Sequence, residues 1–124
     1  MHENEISREI IIASIDIHKE FGPGLLESFY EEKLYNSLVK KGLKVERQKK
    51  IKIEPLVKDT KYFKVDLIVE EKVIVEVKAV ATYAQIHTAQ LLTYLKITNL
   101  KLGLLLNFNR STLKEGIKRY VNGL

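Results

Sequence analysis

The chain has 124 residues, with 21 Lys and Arg against 16 Asp and Glu, a formal charge of +5, 45% hydrophobic residues and no cysteine. That length reads as one domain over residues 1–124, able to bury a core without crosslinks. The composition excludes a disulfide framework, a thiolate zinc site and a cysteine nucleophile, and the short apolar runs and acidic start lead us to expect a cytoplasmic protein with no membrane partner.

Residues 5–20 carry Ile6, Ile10, Ala13 and Ile17 at helical spacing, and Gly22-Pro23-Gly24 ends that helix. A second helix is predicted from about Leu25 to Lys41, with Leu26, Phe29, Tyr30, Leu34 and Leu38 on its apolar side and Gly42 just past its end. Extended segments follow at about 43–54, 61–69 and 73–80. A helix is predicted over 83–97, a buried strand over 102–108, and a last helix over 112–122 burying Leu113, Ile117, Tyr120 and Val121. The order is ααβββαβα, with the strands at 73–80 and 102–108 made parallel by the crossover helix between them.

The positive charge is concentrated. Between Lys40 and Lys52 there are seven basic residues, Arg47, Lys49 and Lys50 among them, against Glu46 alone. Such density suits a phosphate backbone, and a solvated lysine-rich strand is an equally common origin.

The segment Phe63-Lys64-Val65-Asp66-Leu67-Ile68-Val69, Glu70-Glu71-Lys72, Val73-Ile74-Val75-Glu76-Val77-Lys78 is the most informative. Strand alternation puts Phe63, Val65, Leu67 and Val69 on one face and Lys64, Asp66 and Ile68 on the other. A three-residue loop at 70–72 sets Asp66 opposite Glu76, where two carboxylates destabilise a sheet unless something positive lies between them. A hard divalent cation such as Mg²⁺ suits them, with Lys78, two residues on and on the same face, orienting a water for phosphodiester hydrolysis. The competing reading from spacing alone is a salt bridge of Lys78 or Lys64 to one carboxylate on an exposed sheet face.

Asp66 followed by Glu76-Val77-Lys78 resembles the D…ExK signature of the PD-(D/E)XK, or restriction-endonuclease-like, nuclease superfamily. Gly24-Leu25-Leu26-Glu27-Ser28-Phe29-Tyr30 is similar to the motif that names the GxxExxY family within it, and the resemblance continues in order through Gly42–Gln48, Ala89–Leu95, Leu105–Phe108 and Gly116–Arg119. One departure is Val65, which stands where the superfamily name has proline. The resemblance implies an α/β fold with a mixed sheet: a restriction-endonuclease-like αβββαβ core, here with one additional helix at each end. It also implies that Asp66, Glu76 and the main-chain carbonyl of Val77 bind Mg²⁺, for which Mn²⁺ can substitute, and that Lys78 is the catalytic lysine.

Glu27 has two readings, as a partner of the positive helix end and, by the resemblance, as an outer metal ligand through water. Tyr30 either supports Glu27 as a substrate-binding residue or is a core aromatic with its hydroxyl at the rim. Gln90 and Tyr94 resemble a QxxxY motif that contacts substrate in exonuclease-type branches, while His18 and His87 read as boundary residues. The leading expectation is a Mg²⁺-dependent nuclease acting on nucleic acid, DNA ahead of RNA, with Arg47, Lys49, Lys50, Gln90 and Tyr94 guiding the strand and a homodimer compatible with its small size. The alternative is a non-catalytic nucleic-acid-binding or protein-assembly module that keeps the fold.

Overall fold

In a computed structural model of the chain, residues 1–53 and 62–124 are described. Helix α1 (Glu3–Phe21) buries the predicted stripe of Ile6, Ile10, Ala13 and Ile17. Its start is capped by His2, whose Nδ1 accepts the Asn4 N–H at 3.0 Å while the Glu5 carboxylate accepts the His2 N–H at 3.1 Å. Helix α2 (Glu27–Lys40) buries Tyr30, Leu34 and Leu38, and the chain leaves it through Gly42, whose φ of +87° suits glycine.

A five-stranded sheet follows in the spatial order β1-β2-β3-β4-β5, from β1 (Val45–Lys52), β2 (Tyr62–Val69), β3 (Val73–Lys78), β4 (Leu102–Asn107) and β5 (Ile117–Val121). The predicted strand ends at residues 54 and 61 lie outside the described residues. Between β3 and β4 runs α3 (Gln85–Thr98), and those two strands are parallel while every other pair is antiparallel. The core order α2-β1-β2-β3-α3-β4 is therefore the αβββαβ order expected.

Each sheet face is covered. Leu67, Val69, Val73, Val75, Val77, Leu102, Leu104 and Leu106 pack against α1 and α2, and Ile68, Ile74 and Leu105 pack against Leu91 and Leu95 of α3. Each such fully buried aliphatic side chain contributes about 1.5–3 kcal/mol relative to exposure. Helix α3 lies close because Gly103 of β4 has no side chain: a Cβ there would sit 2.8 Å from Leu91 Cδ1.

Two expectations are corrected. The C-terminal segment is a short 3₁₀ turn (Leu113–Gly116) and then strand β5, not a helix over 112–122. Strand β4 is buried along its whole length, so its second edge needs backbone partners, and β5 supplies them from Leu102↔Val121 to Leu106↔Ile117. Ile117 then packs on the α1/α2 face, Tyr120 on the α3 face, and Val121 is exposed. Strict alternation in β2 also fails, because Phe63 and Val65 lie on the α3 face whereas Leu67 and Val69 lie on the other. The switch falls at Asp66, opposite Gln48. There the β1–β2 ladder is interrupted between Arg47↔Leu67 and Lys49↔Val65, and Gln48 has a φ of +52°.

Candidate active site

The three-residue loop at 70–72 sets the β2–β3 register as predicted, with Val69↔Val73, Ile68↔Ile74 and Leu67↔Val75 paired. Glu70 and Glu71 take left-handed φ values of 54° and 57° to make the turn. Beyond Leu67 the next opposed residues are Asp66 and Glu76, and side chains replace the ladder between them. The Val77 N–H donates to Asp66 Oδ2 at 2.8 Å, and the Asp66 N–H donates to Glu76 Oε1 at 3.1 Å. Each carboxylate is thus anchored on the other strand's backbone, and β2 and β3 part around them.

The pair is electrostatically loaded. Burial, and then the charge of Asp66, push Glu76 up to about 8 from 4.5. Burial also pushes Asp66 up to about 6 from 3.8, against the lowering effect of the Val77 N–H. Lys78, half-buried at the end of β3, favours the ionised form of both. None of the four ion pairs among the described residues involves Lys78, so the salt-bridge reading of Asp66 and Glu76 finds no bond of that kind there.

The donor set is all hard oxygen, with no histidine converging on it. Among the described residues no three His, Asp or Glu side chains form a ready-made cage. A buried and a half-buried carboxylate that repel each other, with oxygen lone pairs left after their backbone bonds, fit a cation such as Mg²⁺, which is held by one or two carboxylates and keeps several waters.

The segment after Lys78 is fixed from two sides. Glu27, the first residue of α2, accepts the Ala79 N–H on Oε1 at 3.1 Å. Asn107, fully buried at the end of β4, accepts the Val80 N–H at 3.1 Å and donates to the Val80 carbonyl at 2.8 Å. The Phe108 N–H donates to the Lys78 carbonyl at 2.9 Å. Glu27 therefore reaches the site, through the backbone next to Lys78.

Tyr94 of α3 is stacked on Phe63 at 4.0 Å, and partial burial followed by the charges of Glu76 and Asp66 raises its pKa, which places its hydroxyl within their field. Gln90 lies one turn earlier on the same helix and is exposed. Arg47, Lys49 and Lys50 are all exposed on the edge strand β1. Arg47 pairs with Glu31 at 2.8 Å and Lys49 with Glu46 at 2.6 Å, while Lys50 lies 4.8 Å over the Tyr62 ring. His18 is buried with Nε2 2.8 Å from the Arg110 carbonyl, and His87 lies edge-on to Tyr83.

Tyr30 is a core aromatic and not a substrate-binding residue, which corrects that reading. It is fully buried and stacked on Phe108 at 4.4 Å. Its hydroxyl donates to the Gly22 carbonyl at 2.6 Å and accepts the Leu25 N–H at 3.1 Å. Tyr30→Phe should therefore cost about 1–2 kcal/mol in urea unfolding, with any nucleic-acid affinity unchanged.

Three residues escaped the sequence reading. Glu31 is buried on α2, one turn after Glu27 on the face that carries Leu34 and Leu38, and an acid in that stripe was the available signal. Asn107 ends a run of five apolar residues in β4, a similar signal. Gln48 had none, because its role depends on residues distant in sequence.

A cavity of about 520 Å³ opens between the end of α1 and residues 111–114, lined by Ile15, His18, Pro23 and Leu113 among others, and none of the expected site residues borders it. No helix is long and apolar enough to cross a membrane among the described residues.

Comparison with curated proteins gives no match, and neither does comparison with solved structures. A family profile described as the PD-(D/E)XK nuclease superfamily matches residues 4–120. That span holds the αβββαβ core, the carboxylate pair and the lysine that follows it, and the chain belongs to the PD-(D/E)XK nuclease superfamily.

Proposed function

We propose that this protein is a divalent-metal-dependent nuclease of the GxxExxY type that hydrolyses phosphodiester bonds, with DNA as its substrate and Mg²⁺, replaceable by Mn²⁺, as its metal. The observation that supports this best is the parting of β2 and β3 around half-buried Asp66 and buried Glu76, held on each other's backbone with Lys78 two residues on. Asp66, Glu76 and the Val77 carbonyl would hold the metal. The Val77 N–H faces Asp66, and in an extended strand the carbonyl of the same residue leaves from the same edge.

When bound, the metal supplies positive charge against which the phosphate's developing negative charge is stabilised and a water is acidified. Lys78 orients the attacking water and shields the carboxylates from each other. Its backbone is held still by Phe108, Glu27 and Asn107, so the ammonium works from a fixed base. Glu27 serves through the Ala79 N–H, and, as the family resemblance implies, would be an outer ligand of the metal through water. Tyr94 and Gln90 line the approach from α3, and Lys49 and Lys50 offer charge to the phosphate backbone.

Labelled single- and double-stranded DNA and RNA, incubated with the protein and Mg²⁺, Mn²⁺ or EDTA, test this reading. Cleavage of DNA that leaves 5′-phosphates, and that stops in EDTA, is expected. Salt-sensitive binding without cleavage in either metal would replace it with the non-catalytic module.

A further inference from the structure

The interruption of the β1–β2 ladder has a cause beside the site. Gln48 adopts a left-handed φ of +52° in the middle of an edge strand, a conformation that costs a non-glycine residue free energy and persists only when its surroundings impose it. Its Nε2 donates to Glu31 Oε1 at 2.6 Å and to Asp66 Oδ1 at 3.3 Å. Glu31 is buried, and its second oxygen is taken by Arg47 Nε at 2.8 Å. One amide thus joins two acids that would otherwise repel, and Asp66, held on Oδ1 by Gln48 and on Oδ2 by Val77, is fixed from both sides. Ordinary strand geometry at residue 48 would continue the ladder between Arg47↔Leu67 and Lys49↔Val65.

We propose that Gln48 is a positioning residue: clamped by the Glu31–Arg47 ion pair, it aims the Asp66 carboxylate at the gap between β2 and β3 and uses backbone strain to do so. The assignment rests on the reading of Asp66 and Glu76 as the metal-holding pair, and it predicts that the strain at residue 48 serves the site rather than the fold.

Gln48→Gly separates the two roles, because glycine accepts the left-handed φ and removes the amide. Gln48→Asn is the second variant, since asparagine tolerates that φ and its shorter amide cannot span both acids. The readouts are melting temperature, hydrogen exchange of the Val77 N–H in metal-free protein, and Mn²⁺ affinity by calorimetry. Both variants should melt close to the wild-type temperature, relief of the strain offsetting the lost amide bonds, exchange the Val77 N–H roughly 10-fold faster with other β3 amides unchanged, and bind Mn²⁺ about 10-fold more weakly, the usual size of an outer-shell loss. Wild-type Val77 exchange in the variants would overturn the proposal, as would a lower melting temperature with uniformly faster exchange through β3. Failure of the wild type itself to bind Mn²⁺ would overturn the metal reading, while the Val77 amide would still decide the role of Gln48.

Discussion

Glu76→Gln should abolish metal-dependent cleavage and, at pH 9 without metal, raise the melting temperature. The wild-type acid is pushed up to about 8 by burial and by Asp66, above its ordinary 4.5. An acid whose folded pKa is raised leaves stability intact below its unfolded pKa, and that stability drains away as pH rises through the folded value. The metal-free wild type should therefore lose stability between about pH 4.5 and pH 8, with Asp66 contributing the lower part of the window up to about 6. Glutamine keeps an oxygen for the Asp66 N–H and removes the charge, so the variant's stability should be nearly flat above pH 6. Taking the gain at pH 9 as about 2 kcal/mol, a chain of this size would melt roughly 8 °C higher. Added Mg²⁺ should stabilise the wild type most at high pH and the variant not at all. A variant that melts at or below the wild type at pH 9 would mean that the two acids do not repel, and the electrostatic case for a metal there would fall.

The same energetics explain what could be read from the sequence. The loop at 70–72 and the valine alternation in β3 were enough to bring Asp66 and Glu76 together, because a short hairpin loop determines register locally. The face switch in β2 was not readable. It coincides with the left-handed backbone of Gln48, whose partners Asp66 and Glu31 lie 18 residues after it and 17 before it, so no local period contains it. Tyr30 was legible as an apolar helix position, but the partners of its hydroxyl, Gly22 and Leu25, became visible only once the turn between α1 and α2 closed over it. Strand β5 was read as a helix because Leu113, Ile117 and Tyr120 happen to fall at helical intervals. What decided its form was the open edge of β4, a property of another segment.

Gly116→Ala should be the most destabilising single-methyl addition among these glycines, because the added atom meets main chain. A Cβ there would lie 2.1 Å from the Asn107 carbonyl oxygen and 3.0 Å from its carbonyl carbon. At Gly103 the obstacle is the end of the Leu91 side chain, which can rotate away at an overpacking cost of about 1–3 kcal/mol. The Gly116 clash can be relieved only by moving β4 or the start of β5, and moving Asn107 costs the two bonds its side chain makes to the backbone of Val80. Tyr83 adds a second constraint by donating its hydroxyl to the Gly116 carbonyl. We therefore expect Gly116→Ala to cost about 4 kcal/mol in urea unfolding, roughly a 15 °C fall in melting temperature, against the smaller loss for Gly103→Ala. The damage should also reach the site. Displacing Asn107 releases Val80, and with it the segment that fixes Lys78, so cleavage by the folded fraction should fall more for Gly116→Ala than for Gly103→Ala. Equal activity per folded molecule in the two variants would show that Asn107 supports the sheet without holding the lysine in place.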